Sequence, residues 1–120
     1  MPQGGYRDLI VWQLAMDLVV VSHEVADSLP ATQRFALSDQ IRRAAISIPA
    51  NIAEGYGRIH RGDYVRHLSI ARGSTRELET HFEIATRLGY ASRGALERAP
   101  VMADRVSRML LGMVRGLGAR

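Results

Sequence analysis

The stretch DYVRHLSIARGSTRELETHFEIATRLG, residues 63–89, decides the fold class. Within it Tyr64, Leu68, Ala71, Thr75, Leu78, Phe82, Ala85 and Gly89 recur at steps of four and three. Successive side chains on an α-helix turn by about 100°, so that spacing collects them on one face. Ile70, Ile84 and Leu88 are expected to widen the apolar stripe. Asp63 reads as the cap that opens the helix and Gly89 as the residue that ends it. Gly73-Ser74 falls inside the segment, where missing bulk costs about 1 kcal/mol of helix propensity relative to alanine. The expected return is close approach of another helix. A long helix with one apolar face must bury that face against something, so the flanking sequence is expected to supply partner helices.

Upstream, residues 33–56 repeat the pattern with Leu37, Ile41, Ala44, Ala45, Ile48 and Ile52, leaving Arg42, Arg43, Ser47 and Glu54 off the stripe. Pro49 lies inside it and removes the donor that would reach the Ala45 carbonyl, so a bent helix is expected rather than a stop. Asn51 borders the stripe and reads as a satisfied structural amide. Thr32 or Ser38 can cap the start after the break at Leu29-Pro30. Before that break, residues 8–28 carry two seams. Leu9, Trp12, Met16, Val19, His23 and Ala26 form one; Val11, Ala15, Leu18, Ser22, Val25 and Leu29 form the other. A bundle member needs an apolar face a little over 100° wide, and this helix has a surplus. The surplus points to a subunit contact, for which Val11, Leu14, Ala15, Leu18, Val21 and Val25 are the candidates.

Downstream, Ser92 or Gly94 begins a fourth helix over residues 95–117, with Leu96, Ala99, Ala103, Val106, Leu110, Met113 and Leu117 at three-four spacing. Pro100 is expected to kink it or delay its start. Four amphipathic helices with short connections and no alternating β pattern predict an all-α, antiparallel up-and-down four-helix bundle, its second and fourth helices kinked by proline, in one domain over residues 1–120.

Composition narrows the function classes. The 120 residues contain no cysteine, so disulfides, thiolate nucleophiles and sulfur-based zinc sites are excluded. No run approaches the roughly 20 apolar residues of a membrane span, and Met1-Pro2-Gln3-Gly4-Gly5 lacks the order of a signal peptide. A cytoplasmic protein with no membrane association is expected. All 16 basic residues are arginine, the net charge is +4, and the pI is about 10.3. A GC-rich genome accounts for that usage, yet the planar guanidinium also suits phosphate and carboxylate recognition.

Three blocks carry a resemblance. They are YRDLIVW at residues 6–12, QIRRAAISIPANIAEG at residues 40–55, and Gly73-Ser74 with Glu77-Leu78-Glu79-Thr80 and Leu88-Gly89-Tyr90. Together they resemble the four-helix-bundle family named after proteins encoded in intervening sequences of bacterial 23S ribosomal RNA genes. The resemblance implies a bacterial helical bundle, frequently a ring-like homopentamer, with no established enzymatic activity. A related branch serves diversity-generating retroelements, where the bundle binds a reverse transcriptase and nucleic acid through a basic surface. A homopentamer agrees with the surplus apolar face of the first helix, read from the residues alone.

Catalytic constellations are scarce. Glu77 with His81 and Glu79 with Glu83 share a face, but bundle di-metal sites need Glu and His three apart on two helices plus further inward carboxylates. No metal, cofactor or catalytic residue is expected. Gly55-Tyr56-Gly57 follows no strand and carries no lysine, which excludes a phosphate loop. The binding signal is basic: Arg42, Arg43, Arg58, Arg61, Arg66, Arg72 and Arg76 cluster in the middle of the chain. Against it stands ion pairing of such arginines with Glu54, Glu77, Glu79 and Glu83. The expected function is a non-enzymatic homo-oligomeric adaptor, with nucleic acid (RNA or DNA) or a protein such as a reverse transcriptase as partner. The alternative is a protein-interaction scaffold that binds no nucleic acid.

Overall fold

The computed structural model describes residues 4–90 and 94–118. Ser92, and residues 1–3 of the leader reading, lie outside them. Four helices follow in order: α1 (Ile10–Ser28), α2 (Leu37–Tyr56), α3 (Arg61–Arg87) and α4 (Ala95–Gly118). No strand occurs among the described residues.

Helix boundaries show where local chemistry overrode the periodic pattern. α2 starts at Leu37 rather than Gln33, because Gln33 N–H bonds the Pro30 carbonyl, Arg34 the Ala31 carbonyl and Ala36 the Gln33 carbonyl. These are the tight three-residue bonds of a 3-10 turn. Neither Thr32 nor Ser38 caps α2; Ser38 is buried one residue inside, and its Oγ donates to the Ala26 carbonyl at 3.0 Å. Asp63 likewise sits within the first turn of α3, behind the N-cap His60, where its charge still complements the helix dipole. Gly89 does terminate α3. Its φ of +77° permits the paired bonds Gly89 N–H to Thr86 O and Tyr90 N–H to Ala85 O. Pro100 does not delay α4, and both α2 and α4 continue through their prolines.

Each helix packs on the next, α4 returns to α1, and the diagonal pairs α1–α3 and α2–α4 bring no Cα atoms within 8 Å. Cross-links fix the antiparallel sense: Ser47 meets Ser74 and Asn51 meets His67 between α2 and α3. Arg76 faces Asp104 between α3 and α4, and Arg98 faces Glu24 between α4 and α1. The stripes of all four helices form one core, with Leu18, Ile41, Ile48, Ile52, Leu68, Leu78 and Leu110 wholly excluded from solvent and Phe82 nearly so. At about 25 cal/mol per Å² of apolar area removed from water, this burial is the main favourable term in folding. Ile70, Ile84 and Leu88 do not join it. All three keep a large part of their surface in solvent, at 41%, 39% and 55%. Gly73 also faces open space, with nothing within 4 Å of a Cβ built there. The small residue that permits close approach is instead Gly55.

Candidate functional site

Along the α2–α3 contact the residues off the hydrophobic stripe of α2 assemble into a polar seam. Ser47 and Ser74 hydroxyls lie 2.8 Å apart. The Asn51 amide donates to the Ser47 carbonyl at 2.9 Å and lies 3.2 Å from its Oγ. That orientation turns Asn51 Oδ1 toward His67, whose Nδ1 is 3.0 Å away and must carry the proton, since an amide oxygen only accepts. His67 is 5% exposed, and its Nε2 has no hydrogen-bond partner in the chain; it faces Glu54 Oε2 at 3.7 Å. The same Glu54 oxygen accepts from Arg58 Nη2 at 2.7 Å. The Arg58 hydrogen bond, with the charge of His67 second, holds the Glu54 carboxyl below the usual carboxylate range against a smaller opposing effect of desolvation. A Cβ on Gly55 would lie 2.5 Å from His67 Cβ, so only glycine lets α3 come this close.

Asn51 is thus the satisfied structural amide its position implied. Sequence reasoning missed His67 and the hydroxyl pair. The signal present was the series 47, 51 and 54 at helical spacing along one flank of α2, continued by 58 just beyond its end. What it lacked was the register against α3.

The seven candidate arginines do not form one patch. Arg42 bonds Asp27 at 2.6 Å, Arg43 lies 3.2 Å from Asp39, and Arg76 bonds Glu79 at 2.8 Å. Glu83 pairs with Arg87 at the exposed surface of α3, and Glu77 lies 3.2 Å from the mostly buried His81. Such exposed pairs contribute about 0–1 kcal/mol each and mainly mute the local potential. Arg72 is half-buried, with an unpartnered Nε. A separate exposed grouping surrounds the α2–α3 connection. Arg58, His60, Arg61 and Arg66 are all exposed there, with Ile59 95% exposed beside them and Tyr56 on the last turn of α2.

The candidate subunit-contact residues need correction. Val11, Ala15, Leu18, Val21 and Val25 are buried in the chain's own core, and Leu14 is half-buried against it. Val11, Ala15, Leu18 and Val25 thus have almost no surface left with which to meet a second subunit, Val21 has little, and Leu14 keeps a part of its own. The surplus lies on the other seam. Trp12, Met16, Val19, His23 and Asp27 fall within about 80° on a helical wheel, and Asp27 reaches Arg42 of α2. This side of α1 therefore borders the outer α1–α2 groove, where Met16, Val20 and Ile46 are exposed.

The sequence model of the 23S rRNA-intervening sequence protein family matches residues 7–112. The chain belongs to that family. The crystal structure of a protein with unknown function from the S23 ribosomal protein family of Bacteroides thetaiotaomicron superposes with a TM-score of 0.80 at 26% identity, covering 88% of this chain and 98% of that one. No curated protein matches the sequence. The block at residues 40–55 divides between core and seam. Ile41, Ala44, Ala45, Ile48 and Ile52 fill the core, while Ser47, Asn51, Glu54 and Gly55 form its side of the seam. Among the described residues no three of His, Asp and Glu converge as a metal site, and no helix is long and apolar enough to cross a membrane.

Proposed function

We propose that this protein is a non-enzymatic helical adaptor that self-associates, as a homopentamer, and engages nucleic acid through the basic rim at the α2–α3 connection. The observation that carries this reading is the grouping of Arg58, His60, Arg61 and Arg66 at one exposed end of the bundle. Phosphate is the anion that grouping suits, because guanidinium forks pair with it in two-point geometry. Repetition around a ring would turn a modest rim into a multivalent one, raising avidity without a new contact. The exposed Met16, Val20 and Ile46 beside the outer α1–α2 groove support self-association.

Two measurements test this. Light scattering at micromolar concentration should give a mass near five chains, and a strict monomer refutes the ring. Titration with RNA and DNA oligonucleotides should show affinity that falls linearly with the logarithm of salt concentration. Absence of binding at low salt refutes the polyanion reading. A pure protein-interaction scaffold, with a protein such as a reverse transcriptase as partner, is favoured by a different observation. Phe35 and Ile59 are 88% and 95% exposed, and large bare apolar groups suit protein contacts. Pull-downs before and after nuclease treatment separate the two readings.

A further inference from the structure

The α2–α3 connection carries more than charge. Tyr56 closes α2, 41% exposed, and its ring meets Tyr64 of the first turns of α3 edge to face, with centroids 5.8 Å apart at 89°. That contact holds the Tyr56 ring without covering it. Arg58 follows two residues later, with its guanidinium fixed by Glu54, then the bare Ile59, His60 and Arg61, and Arg66 one turn into α3. Gly57 and Arg58 N–H groups bond the Ala53 and Gly55 carbonyls, so the connection is a tight, hydrogen-bonded corner.

Duplex and single-stranded nucleic acids ask different things of such a surface. A duplex offers phosphates and stacked, inaccessible base faces, and needs only cations. A single strand offers splayed bases as well, and is held by cations alternating with aromatic or apolar platforms. Here the aromatic ring and the isoleucine alternate in sequence with the basic residues. Two acids, Glu54 and Asp63, also border the corner. Glu54 pairs with Arg58, which lowers the net positive charge of the corner, and together with Asp63 this lessens attraction for the dense phosphate array of a duplex more than for one strand.

We infer that the corner formed by Tyr56, Arg58, Ile59 and Arg66 is a single-strand site, with a base stacked on Tyr56 against Ile59 and the flanking phosphates on Arg58 and Arg66. The inference rests on the polyanion reading above and adds the class of nucleic acid. It is tested with the full chain and a labelled 20-nucleotide strand, against the duplex of the same sequence, over a range of salt concentrations. The wild-type protein binds the single strand at least about tenfold more tightly. Tyr56→Leu lowers single-strand affinity about fivefold to a hundredfold, the range of one lost base stack, and leaves duplex affinity unchanged. Tyr56→Phe retains the preference. Ile59→Ser, at a position too exposed to affect folding, narrows the preference in the same direction. Arg66→Gln weakens both substrates and reduces the salt slope by about one. Equal affinity for strand and duplex, or preference for the duplex, overturns the inference while leaving the polyanion reading intact. Binding of neither overturns both. A strand preference that survives Tyr56→Leu and Ile59→Ser together removes the assignment to this corner.

Discussion

Gly55→Ala is the sharpest test of how α2 and α3 are held together. The new Cβ would lie 2.5 Å from His67 Cβ and 3.1 Å from Tyr64 Cδ1. Carbon atoms in favourable contact sit about 3.5–4.0 Å apart, so the helices must separate locally by about 1 Å. The obstructing atom is a Cβ attached to the backbone of α3. No rotamer of His67 clears it, and trimming the imidazole by His67→Ala gives no relief. Overpacking of this kind costs about 1–3 kcal/mol, and the higher helix propensity of alanine returns up to about 1 kcal/mol. A net loss of about 1–2 kcal/mol remains, lowering Tm by roughly 3–10 °C in a domain of this size. Gly73→Ala is the internal control. It is also a helical glycine of α3, has nothing within 4 Å of the added methyl, and should gain about 0.5–1 kcal/mol. Urea and thermal unfolding followed by circular dichroism, at matched protein concentration because self-association shifts apparent stability, measure both. If Gly55→Ala is as stable as the wild type, the close approach is not what glycine is needed for, and the argument for the seam fails with it.

Asn51→Leu should cost about 1–3 kcal/mol, because it strands the buried His67 Nδ1–H, and chemical denaturation reads the loss directly. Glu54 has a pKa depressed in the folded state. Its contribution is therefore complete above the unfolded carboxylate range and lost as pH falls through the lower folded value. Glu54→Gln should flatten the acid limb of the stability–pH profile and leave its neutral-to-alkaline part unchanged in shape; an unaltered acid limb contradicts the Arg58–Glu54 pairing. Gly89→Ala forces a side chain onto a φ of +77° and should destabilise by about 1–2 kcal/mol in the same unfolding assays.

The four helices and their core faces were legible because burial on a helix obeys one period. Ile41, Ile48, Leu68, Leu78, Val106 and Leu110 are buried where that period placed them. The start of α2 was not legible. The residues after Pro30 are as compatible with a first α-turn as with the 3-10 turn they form, and only the bonds to the Pro30 and Ala31 carbonyls decide between them. The two seams of α1 share the same spacing, so the sequence alone does not say which turns inward; the burial of Val11, Ala15, Leu18 and Val25, against the partial exposure of Trp12, Met16 and Val19, decides it. Arginine clustering in sequence overstated clustering of charge in space. Arg42, Arg43 and Arg76 each pair with a nearby carboxylate, as Arg58 does with Glu54, so what marks the α2–α3 corner is its exposed grouping of Arg58, His60, Arg61 and Arg66. His67 was invisible because its meaning depends on being opposite Asn51, a fact about two helices rather than one.

The hydroxyl pair of Ser47 and Ser74, one turn along α2 and two along α3 from the Asn51–His67 bond, also bears on alignment along the helix axes. Apolar faces rich in alanine are nearly self-similar under a slide of seven residues, and hydrophobic burial alone distinguishes such slides poorly. A seven-residue slide of α3 along α2 would break both pairings, setting Ser74 against Asn51 and His81 against Ser47, or His67 against Ser47 and His60 against Asn51, and each buried group left without its partner costs about 1–3 kcal/mol. Polar groups within a helical interface can thus set register rather than add strength, as one buried asparagine does in a coiled coil. Changes at these four positions should be tolerated in pairs across the interface and resisted singly.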